Sequence, residues 1–499
     1  MDKHVVIIGS GLGGLTCGYI LAKNGYRVSI LEKNPQIGGC LQTFVRHGVK
    51  YETGMHYIGS MDEGQILHRF FHYLSLLKDM KLHSLDTKAY DWVSIAGERF
   101  AFAGEKEDYV HALAQHFPGE KDNIRRYYEV VKDVANNSPL YSFRYTGALT
   151  MLNPMYVKQS ASRFLQEITS NALLRQVLAA NLPLYAGVAG KTPLYIHALI
   201  RHFYHQSAYR IVGGSDAIAG SLASSIRAMG GAIYPRAEVT DILCNGKATG
   251  VRLKNGEELH GDYFISNIHP QRTLELLHTP LIRKSYRERI LGLGNTVSSF
   301  TVYIQFRKDR VPYFNSNLYH YNTPEVWNCA HYTEGEWPKN FMYMHLCSSL
   351  GQRFADAGIV FAYMDFKDVA HWRGTSVGRR GRDYESFKRQ KAERLLEELV
   401  KQMPDVHNNI ERYYTSTPLT YLDYTGTEEG SMYGIQRDCT EPMQTVISQR
   451  TKITNLFQVG QNINSHGILG VMIGAIITSG EFLGVHTIME QINNIYRNG

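Results

Sequence analysis

Val5-Val6-Ile7-Ile8-Gly9-Ser10-Gly11-Leu12-Gly13-Gly14 is an apolar run of strand type that passes directly into G-x-G-x-x-G. A helical stretch follows from Leu15 to Asn24, then a second strand, Arg27-Val28-Ser29-Ile30-Leu31, which ends at Glu32. Together they form a βαβ unit of about thirty residues, with the glycines at its first turn and an acid about twenty residues on. Gly9 permits the tight turn, Gly11 lets the backbone approach a pyrophosphate, and Gly14 lets the helix pack close to the strand. The helix N-terminus offers free amides and its positive dipole end to phosphates. Glu32 is placed to accept hydrogen bonds from an adenosine ribose. Gly9, Ser10, Gly11, Gly13, Gly14, Glu32 and Lys33 are therefore the first candidate cofactor contacts.

The residues after Glu32 favour a flavin dinucleotide. Lys33-Asn34-Pro35-Gln36-Ile37-Gly38-Gly39-Cys40 runs from the ribose acid into paired glycines, where a nicotinamide-dependent dehydrogenase proceeds to its next helix. Tyr51-Glu52-Thr53-Gly54-Met55-His56-Tyr57-Ile58-Gly59 follows. Far away, Asn455 to Gly460 reads as a buried strand ending in glycine. Gln461 to Val471 and an apolar helix from Ile473 to Gly484 come next. A middle block holds Ile211-Val212-Gly213-Gly214, a helix to Gly230-Gly231, Ala237-Glu238-Val239, and a strand ending at Ser266-Asn267.

In order along the chain, these pieces resemble the phytoene desaturase, carotenoid isomerase and retinol saturase group of FAD-dependent, amine-oxidase-like proteins. The T-G-M-H-Y-I-G and H-G-I-L-G-V stretches look most similar to the saturase and isomerase branch. The resemblance implies FAD as cofactor, with the backbone around Gly39 and Cys40 lining the ribityl and flavin portion and Val239 contacting the adenine. Gly460, His466, Leu469, Gly470 and Val471 are expected near the flavin, with His466 by its pyrimidine edge and the Leu469 and Gly470 amides tuning the reduced ring.

The fold expected is α/β: a discontinuous Rossmann-like FAD domain from residues 1–85, 210–275 and 445–499, with an inserted α+β substrate domain from 86–209 and 276–444. The first insert reads helical over Lys106 to His116, Lys121 to Asn136 and Ser160 to Leu178. The second mixes strands, Val297 to Phe306 and Ile359 to Met364, with an amphipathic helix from Glu385 to Met403. Aromatics crowd Tyr319 to Tyr343 and Tyr413 to Tyr433, either as core or as the walls of an apolar tunnel.

The remaining features bound the function classes. At 499 residues, 43% hydrophobic and 20% charged, the chain has ordinary globular composition. A net charge of +7 without a binding motif speaks against nucleic acid. Its basic cluster, Arg373, Arg379, Arg380, Arg382, Lys388 and Arg389, is either a solvated loop or a contact for anionic lipid. Six scattered cysteines suggest a reducing compartment, and no signal peptide or spanning helix is expected. The expected location is cytoplasmic, with peripheral membrane contact for which residues 148–156 form one candidate patch. No metal site is expected: His68 and His72 have ligand spacing but read as one helix face.

Gly213-Gly214 lacks a third glycine, so a second nucleotide domain is not expected and NAD(P)H enters only as a candidate transient donor. The activity expected is oxidoreduction of C=C or CH–CH bonds in an isoprenoid-type lipid, most simply saturation. Desaturation, polyene isomerisation, amine oxidation and a non-enzymatic lipid carrier are the rivals. His56 and Tyr57 are the candidate proton-handling residues. Substrate identity and oligomeric state are not encoded in these motifs.

Overall fold

Strands from three distant stretches of the chain meet in one parallel sheet. In the computed structural model, which describes residues 3–142 and 153–498, its order is Ala232–Tyr234, Arg27–Leu31, His4–Ile8, Tyr263–Ser266 and Leu456–Gln458. His4–Ile8 lies at the centre, buried along its whole length, as a strand covered on both faces must be. The helix Leu12–Lys23 crosses from it to Arg27–Leu31 and packs against the apolar helix Gly467–Leu483. Asn455 ties a three-stranded meander to this sheet. Its side-chain amide donates to the Ala248 and Asp262 carbonyls at 2.8 Å each, and its oxygen accepts from the Ala248 amide at 2.9 Å.

A seven-stranded sheet forms the second layer system, in the order Ile410–Ser416, Ser298–Phe306, Ala357–Met364, Asn340–His345, Asn317–Tyr321, Asp91–Ile95 and Glu98–Phe102. Alternation along Ser298–Phe306 decides its two faces. Phe300, Val302 and Ile304 meet Leu395 and Leu399 of the helix Arg382–Gln402. Tyr303 faces the other way, into the core shared with the helices of residues 106–206 and with Tyr51 and Tyr57.

Two readings change here. The segment from residue 86 is not wholly helical, because Asp91–Ile95 and Glu98–Phe102 form a hairpin that joins the large sheet. Its turn, Ala96-Gly97, has φ of 54° and 81°, a two-residue reversal that suits twisted strands. The stretch 160–178 is two helices, Ala161–Ile168 and Ala172–Ala179, because the Asn171 side chain caps the second by accepting from the Leu174 amide. His68 and His72 do share a helix face: both rings pack edge-on against Tyr496. Tyr319, Tyr321, Trp337, Phe341 and Tyr343 are core. Among the described residues no single helix is long and apolar enough to cross a membrane. Residues 148–152 of the candidate membrane patch lie outside the described residues.

Candidate functional site

A cleft of about 550 Å³ opens over the C-terminal ends of the parallel strands, where doubly wound sheets bind their ligands. Gly9 takes φ 95°, turning the chain off its strand so that Gly11 and Gly13 form the cleft floor. No side chain caps the helix Leu12–Lys23, leaving its first amides for a ligand. Close packing accounts for the remaining glycine. A Cβ on Gly14 would sit 2.3 Å from the Gly9 carbonyl oxygen, so this residue builds the turn without lining the cleft.

Ser10 is likewise structural. Its amide and hydroxyl donate to the Glu32 carboxylate at 3.1 and 2.6 Å, and the Gly38 amide donates to the Ser10 carbonyl. This folds the Gly38-Gly39 turn back onto the first loop. Glu32 also accepts from the Asn34 amide at 2.8 Å and lines one end of the cleft, beside Lys33 and Val239. Lys33 is exposed and donates to the Asp423 carbonyl at 2.8 Å. Asn267, with its amide donating to the Gly9 carbonyl, wedges between the first loop and Gly460 and was not among the expected contacts.

At the far end a second helix N-terminus, that of Gly467–Leu483, also opens on the cleft without a side-chain cap. The helix begins six residues before the expected Ile473, and this corrects the contact set. Gly467, Ile468 and Val471 line the cleft. Leu469 is buried in the helix packing and Gly470 is pressed against Ser465, so these two do not. The His466 ring packs on Tyr433, 4.7 Å between centroids, and does not reach the lining. Burial, with Arg437 nearby, pushes it down to about 4, so the ring is neutral.

His56 and Tyr57 part company, since adjacent residues of an extended segment point oppositely. His56 lines the inner end of the cleft, stacked on Phe361 at 4.8 Å. Burial, then the charge of Arg210, lowers it to about 4. It is a neutral imidazole that can orient or hydrogen-bond a ligand, not a standing acid. The Tyr57 hydroxyl faces away from the cleft and donates to Asp91 at 2.8 Å, with Tyr319 at 2.9 Å. Tyr57 is thus a network residue, and the expectation that it touches the reacting atoms is corrected.

Two further cavities join this cleft. One, of about 730 Å³, meets it at Gly39, Cys40, Gly54, Tyr421 and Tyr424. The later aromatic group therefore lines open space where the earlier one is core. Cys40 borders both cavities and is exposed to them. Beside this cavity's mouth Val45, Val377 and Tyr424 are exposed, near Arg46, Lys388 and Arg389. Arg380 from the basic cluster is buried instead, paired with Asp423. The other cavity, of about 630 Å³, meets the cleft at Met55 and His56.

Residues 7–74 match the family model of the NAD(P)-binding Rossmann-like domain. The chain is 29% identical to a human protein named all-trans-retinol 13,14-reductase, over 96% of this chain and 85% of that one. It is 24% identical to a Danio rerio protein named inactive all-trans-retinol 13,14-reductase, over 99% and 87% of the two chains. It is also 24% identical to prolycopene isomerase 2, chloroplastic, of an Oncidium hybrid cultivar, over 95% and 83%. Among solved structures, an oxidoreductase from Methanosarcina mazei matches 98% of this chain and 100% of its own with TM-score 0.65 at 17% identity. A variant of putrescine oxidase matches 97% and 99% with TM-score 0.66 at 14% identity. At such identities the structural likeness speaks to the fold alone, a Rossmann-like dinucleotide domain carrying a second, mixed α/β domain.

Proposed function

We propose that this chain, which fits the phytoene desaturase, carotenoid isomerase and retinol saturase family of FAD-dependent oxidoreductases, binds one FAD in the cleft and saturates a C=C bond of an isoprenoid-type lipid. The observation that carries the reading is the cleft itself: an acid at one end, two uncapped helix N-termini along it, and a tyrosine-bearing cavity of mixed polarity joined to it at Cys40 and Tyr421. Glu32 would hold the ribose, the Gly11–Gly13 floor the pyrophosphate, and Gly467 with Ile468 the flavin end. When bound, FAD supplies hydride and electron transfer. The protein's own part is to bind, orient and exclude water.

His56 bounds the inner cleft as a neutral ring. It positions a ligand or passes a proton at a ring nitrogen, its Nδ1 having no partner among the described residues. Tyr421, Tyr424 and Cys40 offer faces suited to an apolar chain where the adjoining cavity meets the cleft, and farther out its walls turn polar and charged at Gln42, Arg46, Lys388 and Asp423. Electrons come from a transient donor such as NAD(P)H. We further place the protein on the cytoplasmic face of a membrane, with Val45 and Val377 entering the lipid and Arg46 and Arg389 meeting anionic headgroups.

The test is anaerobic. The flavin is reduced by light and all-trans-retinol is added, either from anionic vesicles or from detergent. Reoxidation of the flavin with a product heavier by hydrogen is the expected result. An unchanged product mass would mean isomerisation, and a flavin that stays reduced with no new product would mean a carrier. Val377→Asp is expected to slow the reaction several-fold from vesicles and not from detergent; equal slowing in both would remove the membrane contact.

A further inference from the structure

The cavity that meets the cleft at Met55 and His56 has a buried cation in its wall without an acidic partner. Arg210 is 3% exposed. Its guanidinium donates to the Ser316 carbonyl at 2.8 Å, the Asn317 side-chain oxygen at 3.0 Å and the Met344 sulfur at 3.4 Å, all neutral acceptors. Among the described residues its Nε has no partner. A buried charge is ordinarily paired, because removing it from water is costly.

The hydrogen-bond network behind it has one cation too many. Asn317 donates to Asp91 at 2.8 Å, Asn181 donates to the other Asp91 oxygen at 2.8 Å, and Arg201 donates to Asn181. Two guanidinium groups thus share a single carboxylate, each through an asparagine. The histidines here do not alter the balance: His56, His205 and His345 are all held neutral by burial and by these arginines. Glu52, the buried carboxylate of the same cavity, makes no ion pair with Arg210: it accepts from the Ser215 amide at 2.8 Å and from the Ser215 hydroxyl, and burial raises it to about 7, so it carries only part of a charge near neutral pH. Arg201 lines none of the three cavities, whereas Arg210 lines this one. The excess charge therefore faces open space. At the mouth, exposed Lys308 and Lys50 stand beside exposed Asp356 and Glu411, so selection for charge belongs to the deep wall.

We propose that this cavity binds the anionic group of a ligand, a carboxylate or a phosphate, on Arg210, with the rest of the ligand reaching the cleft at His56. Planar guanidinium donors suit both oxyanions. The shared chemistry has two sources: the carboxylate end of an apolar chain, or a phosphate of a nicotinamide nucleotide. The site rests on the geometry of this cavity and goes beyond the proposed reaction, since anion binding is measured without turnover.

Calorimetric titration of the purified holoprotein with palmitate, palmityl alcohol and NADPH tests it. At least one of the two anions is expected to bind. Arg210→Gln should weaken that binding on the order of 10- to 100-fold, Arg210→Lys less, and leave palmityl alcohol unchanged. A loss confined to palmitate identifies the apolar carboxylate; a loss confined to NADPH identifies the nucleotide. Lys308→Glu, at the exposed mouth, provides a variant that does not disturb the core and should weaken the same anion by a few-fold, more at low salt. Neither anion binding to wild type, or anion affinity untouched in both Arg210→Gln and Lys308→Glu, would overturn the proposal.

Discussion

Gly14→Ala is expected to strip the protein of its flavin while leaving most of its secondary structure intact. The added methyl would lie 2.3 Å from the Gly9 carbonyl oxygen, an atom of the same turn that cannot swing aside, and 3.0 Å from the Asn267 side-chain nitrogen. The helix Leu12–Lys23 must retreat from the strand, carrying the uncapped amides away from the pyrophosphate position. Such overpacking costs about 1–3 kcal/mol. The same retreat lowers flavin affinity on the order of 100-fold, since a charge-assisted contact set of this kind is lost as a unit. Gly220→Ala is the control: that residue is exposed in the helix Asp216–Ala228, has nothing within 4 Å of a new Cβ, and should gain up to ~1 kcal/mol. Flavin retained through gel filtration and the thermal midpoint are the readouts. A Gly14→Ala protein that keeps its chromophore as firmly as the control contradicts this account of the turn.

Acidification from about pH 7 to about pH 5 is expected to destabilise the fold steeply. Burial pushes His56, His202 and His466 down to about 4, His197 and His345 down to about 3, and His205 well below its ordinary value, with a nearby arginine or lysine adding to each. A histidine whose folded value is depressed contributes stability that is present above its unfolded value near 6.5 and lost as pH falls below it. Two carboxylates act the other way. Burial raises Asp91 to about 6 and Glu52 to about 7, so in this window they keep protons when folded that they release when unfolded. Six histidines against two carboxylates leave the unfolded chain binding about four protons more near pH 5, a slope of ~5 kcal/mol per pH unit. Against a typical total of about 5–15 kcal/mol, two pH units are decisive. Urea midpoints measured between pH 7 and pH 5 check this. A flat profile would mean that these rings take up protons within the fold.

What could be read from the residues divides along physical lines. The βαβ unit was legible because its signals are local: an apolar run, glycines where the backbone turns or packs closely, and an acid at the next strand end. Val239, Gly460 and Val471 could be placed through the resemblance, and all three line the cleft. The Asp91–Phe102 hairpin was also written locally, in W-V-S-I-A-G-E-R-F-A-F, but its Ala96-Gly97 turn lacks the usual Asn or Asp. Other features depended on pairings remote in sequence. Tyr57 turns from the cleft because Asp91, 34 residues away, accepts from its hydroxyl and Tyr319, 262 residues away, bonds the same oxygen. Asn267 matters only because Gly9, Gly13 and Gly460 converge on it. That Met55 and His56 separate two cavities, and that Arg210 lacks an acid, are properties of assembled walls.

The most direct measurement is the visible absorption spectrum of gently purified protein, with its FAD released and counted per chain. The account predicts a yellow protein carrying about one FAD per chain, or taking up that amount when FAD is supplied. Folded protein that is colourless and stays so after incubation with FAD would contradict it.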